Sequence, residues 1–244
     1  MGETCYTYKT NVKLNIQESK GVFLMKDKKK FGVRLFCYFT GMLIMTLGVA
    51  VSVKSVLGVS PNSSVPYTIT VVSGIDLGLA TIIFSVAMAL LEIPVLRKQY
   101  NAVNLLQIPV SIVFGMFMTS CVKLVNLIPD PSNFAVKLFL AFVSTIIVAI
   151  GVFLYVSADL IPLPVEGFLI ALTKVTKFDF PTLKVISDVA MVIISLATCL
   201  IVIHAFGSIG IGTVISALLV GNEVKILSKR FKTPLNKAME LENH

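Results

Sequence analysis

The sequence predicts an all-α polytopic membrane protein, with about six transmembrane helices in two inverted three-helix repeats. Each repeat holds a broken or re-entrant short helix. Three observations predict this. Of 244 residues, 56% are hydrophobic and only 14% charged, with a mean hydropathy of +0.90. A soluble domain carries about 45–50% apolar and about 25% charged residues. Six apolar stretches reach the roughly 20 residues that a hydrocarbon core of about 30 Å demands. Finally, residues 48–76 recur at 151–179: at an offset of 103, Gly48/Gly151, Val53/Val156, Leu57/Leu160, Pro61/Pro164, Thr70/Thr173 and Asp76/Asp179 are identical. Paired interrupted segments in two membrane halves point to a transport site.

Along the chain, residues 1–30 read as a basic, disordered cytoplasmic tail. They lack the short apolar core and cleavage site of a secretory signal, and Tyr6 stands where a myristoylation motif needs Ser or Thr. The run from Met25 would itself make a protein start, so residues 1–24 are either a tail or an over-extension. The predicted spans are 31–55, 77–96, 104–124, 133–156, 182–204 and 209–228, and 231–244 is a cytoplasmic tail. Between spans one and two lie Pro61 and the apolar piece Val65 to Ser73; between four and five lie Pro164 and Phe168 to Thr176. Both pieces are too short to cross a bilayer, and fit either re-entrant or interfacial helices.

Lys and Arg near the span ends set the orientation. The N-terminal block, the turn with Arg97 and Lys98, and the C-terminal tail are basic and are assigned to the cytoplasm. The turn at 204–210 has no Lys or Arg and is assigned outside. Both termini are then cytoplasmic. With three spans per unit, 31–128 and 132–230 enter the membrane in opposite senses. The first hairpin (54–76) lies on the outer side and the second (157–180) on the cytoplasmic side. If a short gap is allowed, the last spans also correspond, aligning Gly115 with Gly221.

The segment Lys54 to Pro61 resembles the first-hairpin signature of the YczE/YyaS/YitT group of bacterial integral membrane proteins. Tyr155 to Leu160 with Pro164-Val-Glu-Gly167, and Gly210 to Thr213 through Gly221, resemble its second half. The likeness covers roughly residues 31–230 and implies a bacterial cytoplasmic-membrane protein. It departs at Ser63, where the group usually has an acid, and at Ile161 and Leu163, where it usually has glycine.

The candidate substrate-binding residues are Lys54, Ser60, Asn62, Ser63, Ser64, Asp159, Glu166 and Asp188. Lys54 ends a span beside a broken segment, where its ammonium either faces a cavity or snorkels to the headgroups. Ser60, Asn62, Ser63 and Ser64 surround Pro61; they either cap the helix or line an anion site at its free N–H groups. Glu166 opens the second short helix, either as an acid favoured by the helix dipole or as a cavity carboxylate. Asp188 follows Lys184 by four residues, which suits a same-face ion pair, and an intramembrane acid is also a functional candidate. Asp159 ends span four. Glu92, one turn from Arg97 and Lys98, is read as structural, and His204 as a boundary residue.

No Ser/His/Asp set, phosphate loop or HExxH occurs, so no enzymatic activity is expected. Cys5, Cys37, Cys121 and Cys199 have no ligand spacing, so neither a metal nor another cofactor is expected, and the cysteines read as small apolar residues. The net charge of +8 comes from basic residues beside spans, which argues against nucleic acid. The expected partners are the lipid bilayer and a small-molecule solute, with a homo-oligomer or a membrane complex partner left open. The sequence thus favours a secondary transporter or permease for a small anionic or zwitterionic solute. The alternative is a non-transporting scaffold or a substrate-binding subunit of a larger complex.

Overall fold

The computed structural model describes residues 28–97, 100–205 and 207–238, and among them all regular structure is helical. Helices α1 (Lys28–Ser55), α3 (Leu77–Leu96), α4 (Gln107–Val125), α5 (Phe134–Ser157), α7 (Phe180–Val202) and α8 (Ile211–Ala238) carry the six stretches long and apolar enough to cross a membrane. Two short helices, α2 (Pro61–Ser73) and α6 (Pro164–Val175), and a 3₁₀ turn (Ala102–Leu106) lie between them among the described residues. The chain is a multi-pass helical membrane protein. Apart from its last three residues, which open α1, the tail expected over 1–30 lies outside the described residues. α8 continues past position 230, the expected end of the second repeat.

Both short helices begin earlier than their apolar pieces, at Pro61 and Pro164. Proline suits the first helical position because its fixed φ fits a helix and its missing N–H would have no partner there. Gly74, at φ 75°, ends α2 in the left-handed conformation, with its N–H bonded to Thr70 O at 2.8 Å. Asp76 then caps α3 by accepting from the Gly78 N–H at 2.9 Å.

Lipid supplies no hydrophobic drive between helices, so close packing must hold them together. α1 is the hub, packed against α5 and α4. A methyl on Gly41 would strike the backbone of Tyr155 and Gly151, and one on Gly48 would strike Val148 N and Ser144 O. Rising numbers on α1 meet falling numbers on α5, so the two run antiparallel. Tyr38, Met42, Met45, Val49, Phe114 and Met118 fill the space around this crossing. α3 and α4 approach closely where a methyl on Gly115 would strike Gly78 O and one on Gly78 would strike Gly115 O. α2 lies mainly on α7 and α6 mainly on α3. Gly58, at φ 102°, lets the α1–α2 connection lie against the start of α8, where Gly212 N donates to Leu57 O at 2.7 Å. The outward faces are apolar; Phe36 is 72% exposed and Ile201 74%.

Candidate functional site

The α6 end gathers the most ionisable chemistry. Pro164 starts the helix, which places Glu166 in its first turn. The Tyr155 hydroxyl, from the last turns of α5, donates to Glu166 Oε2 at 2.7 Å and accepts from the Leu163 N–H at 2.6 Å. One phenol therefore holds both the cap residue and the first-turn acid. Tyr38 on α1 stacks at a tilt on Tyr155, with centroids 5.4 Å apart, and donates to Ile161 O at 2.7 Å. From α7, Lys184 and Asp188 form an ion pair at 2.5 Å, and both lie within electrostatic reach of Glu166. Glu166 and two phenols thus meet at one helix start, and the Lys184–Asp188 pair acts on Glu166 through its charges. Such a set can pair with an amino group and a carboxylate at once.

The α2 end is built from neutral groups. Ser60 occupies the cap position without a side-chain cap bond; its hydroxyl donates to Ser63 Oγ at 3.2 Å, and Ser63 N donates to Ser60 O at 2.9 Å. Ser64, fully buried, donates to Pro61 O at 2.7 Å and accepts from Ser195 on α7 at 3.1 Å. The Asn62 side-chain oxygen is buried without a partner. The four residues share one helix end: Ser60 and Ser63 bind each other, Ser64 binds Pro61 and Ser195, and the Asn62 oxygen is left without a partner.

Lys54 and Asp159 belong to other contacts. Lys54 Nζ lies 2.6 Å from Asp130 Oδ1 in the α4–α5 connection, and its side chain is only 10% exposed. This ammonium holds the exposed Asp130 carboxyl below the usual carboxylate range, first by hydrogen bonding and then by its charge. Asp159 sits at φ 49°; the Arg34 guanidinium donates to its carbonyl at 2.5 Å and to Ala158 O at 3.0 Å. The Asp159 carboxylate lies 4.0 Å from the same guanidinium.

The sequence singles out neither Tyr38, Ser52 nor Glu223 and gives Tyr155 no role, while it marks Glu92 as structural and His204 as a boundary residue. Tyr38 and Tyr155 look like apolar filling in spans; only the repeat hints otherwise, because Tyr155 stands where the first half has Ser52. Ser52 likewise ties down its own connection, donating to Gly58 O at 3.1 Å. Glu223 on α8 accepts from Thr145 in mid-α5 at 3.1 Å. Glu92, 1% exposed, accepts from Asn104 Nδ2 at 3.0 Å and lies beside Gln107. His204 is exposed, at φ 53°.

Neither a curated protein nor a solved structure matches the chain. A family profile, described as a family of unknown function (DUF6198), matches residues 32–229. That stretch includes the central crossing, both short helices and every residue placed above. The chain belongs to that family of unknown function, DUF6198.

Proposed function

We propose that this protein is a membrane carrier for a small anionic or zwitterionic solute, built from two inverted repeats. One observation carries the reading: the helix contacts, that between α3 and α4 apart, survive exchange of the halves. If α1 to α4 correspond to α5 to α8, the α1–α4 contact becomes α5–α8, and α2–α7 becomes α6–α3. Likewise α2–α3 becomes α6–α7, and α1–α5 returns to itself; all are contacts the fold makes. Residues follow the same rule. A methyl on Gly48 would strike Val148 N and Ser144 O, while one on Gly151, 103 positions on, would strike Met45 N and Gly41 O. These are the same atoms of residues shifted by the same offset. Because α1 and α5 run antiparallel, an exchange that swaps them turns one half upside down relative to the other. Carriers that rock two inverted halves about a site use this arrangement.

In this reading α6 enters from the cytoplasmic side and α2 from the outside, as the Lys and Arg distribution implies. The Glu166, Tyr155, Lys184 and Asp188 group is the solute site, and the serines around Pro61 line the opposite side. Lys54, held by Asp130, fastens the outer connection. The motif resemblance extends the reading to kinship with the YczE/YyaS/YitT group in a bacterial cytoplasmic membrane. Purified protein in liposomes should take up some member of a panel of amino acids and small carboxylates saturably, with loss of uptake in Glu166→Gln. Flux no greater than that of empty liposomes for every member, from folded protein, defeats the proposal.

A second reading, a non-transporting subunit of a complex, draws on the one place where the exchange fails. α3 and α4 pack through Gly78 and Gly115, but a methyl on Gly221, the counterpart of Gly115, would meet nothing within 4 Å. A partner seated between α7 and α8 would co-purify in fixed stoichiometry.

A further inference from the structure

One carboxyl inside an apolar span faces no counter-charge among the described residues. Glu223 lies on α8, within the span Ile211–Phe231. Its Oε1 meets the hydroxyl of Thr145, in mid-α5, at 3.1 Å. Thr145 is 1% exposed, and a methyl on Gly48 of α1 would touch the carbonyl of its neighbour Ser144. Glu223 is therefore level with the middle of α5, away from both ends of that span. The residue is partly buried, and its Oε2 is fully buried without a hydrogen-bond partner. An ionised carboxylate there would have one neutral hydrogen bond in a setting without water, which is a costly state.

The neighbours do not offset that charge. Among the described residues, Thr145 is the one side chain whose hydrogen bond or field acts on Glu223. One turn away on the same face of α8 stand Leu219, Val220, Ile226 and Leu227, all apolar. Lys225, Lys229 and Arg230 are exposed. α5, the main neighbour of α8, has Lys137 in its first turn and Tyr155 near its end, engaged by Glu166. α2, which also touches α8, offers Tyr67. Arg34 and Lys54, toward the two ends of α1, are held at Asp159 and Asp130.

The Thr145 hydroxyl has one hydrogen and two acceptors in reach, Phe142 O at 2.8 Å and Glu223 Oε1 at 3.1 Å. A proton on Glu223 turns the second bond round: the carboxyl donates to Thr145, and Thr145 donates to Phe142 O. Both contacts then hold a hydrogen, and the buried Oε2 is a neutral carbonyl oxygen, far cheaper to bury than an anion. We propose that Glu223 is a proton-binding site in the middle of the α5–α8 contact, with Thr145 as its hydrogen-bond partner. The other half shows that packing does not call for an acid at this point. At the offset of 103 Thr145 corresponds to Met42, and with Gly221 aligned on Gly115, Glu223 corresponds to Phe117. Met42 and Phe117 belong to the apolar packing between α1 and α4. A hard metal cation fits less well, because such ions take about six or more oxygen ligands and Thr145, Phe142 and the carboxyl supply fewer. This inference stands whether or not the protein carries a solute.

Infrared difference spectroscopy of the purified protein in lipid tests it. At neutral pH the wild type should show the carbonyl band of a protonated carboxylic acid that Glu223→Gln lacks. That band should persist in Glu92→Gln and Glu166→Gln. It should shift in Thr145→Val, which keeps the side chain's shape but not its hydroxyl. A missing difference band, or one indifferent to Thr145→Val, overturns the proposal. So does a band that sodium chloride abolishes at constant pH, which would give the site to a metal cation. Should Glu223→Gln fail to fold, the wild type suffices. A hydrophobic carbodiimide, which attacks protonated carboxyls, should leave its adduct on Glu223, the only carboxyl side chain between Asp188 and Glu240. Folded wild type with no adduct on that peptide overturns the proposal equally.

Discussion

The hydroxyl of Ser195, on α7, donates to the hydroxyl of Ser64, on α2, at 3.1 Å. This single bond marks where the first short helix docks on the opposite half. Ser64 keeps its own bond to Pro61 O, so Ser195→Ala removes one neutral bond and leaves no buried donor unpaired. A loss of about 0.5–1.5 kcal/mol is expected, read as a modest fall in thermal midpoint in detergent. Ser64→Ala in the Ser195→Ala background should then cost less than it does alone.

Glycines separate packing from mere helix content. Gly151→Ala places a methyl on backbone atoms of Met45 and Gly41, which no side-chain rotation can relieve. It should destabilise by about 1–3 kcal/mol as helices are forced apart. Gly221→Ala meets open space and should be neutral, or stabilising by up to about 1 kcal/mol through helix propensity. Thermal unfolding of the two variants side by side checks this; equal midpoints would contradict the close crossing.

Tyr155→Phe removes a hydroxyl that serves both Leu163 N and Glu166 Oε2. With a buried N–H left unpaired, a cost of about 1–3 kcal/mol is expected. Solute uptake should fall with it, because Glu166 loses the group that orients it. Uptake and stability both at the wild-type level would remove Tyr155 from the site.

The Lys54–Asp130 pair carries a pH signature. The carboxyl is held below its ordinary value of about 3.9, so its stabilisation is complete above that pH. It is lost as pH falls through the lower, folded-state value. Asp130 is exposed, so solvent screens the effect and it will be small. Thermal midpoints of wild type and Asp130→Asn should differ slightly near neutrality and converge in acid below about pH 4.

The spans were legible because lipid imposes length and apolarity on each one separately. Predicted 31–55 and 77–96 coincide with Phe31–Ser55 and Leu77–Leu96, and the other four shift by a few residues. The short helices were legible as apolar pieces, but their starts were not, because Ser63, Ser64 and Glu166 hide a helix that proline begins. Partnerships across the chain were not legible. Nothing local joins Lys54 to Asp130, 76 positions away, or Ser64 to Ser195, 131 away. Glu92 looked free to reach Arg97 and Lys98. Lys98 lies outside the described residues; the chain folds back through the 3₁₀ turn and brings Asn104 and Gln107 onto Glu92.

The most direct measurement of the inverted pair uses two equivalent exposed positions, Ser73 at the end of α2 and Thr176 just after α6. Each is changed to cysteine in a chain whose four native cysteines have been replaced, and intact cells are treated with a membrane-impermeant thiol reagent. Ser73→Cys should be labelled from outside, and Thr176→Cys only after permeabilisation. Labelling of both from the same side would contradict the inversion, and with it the carrier.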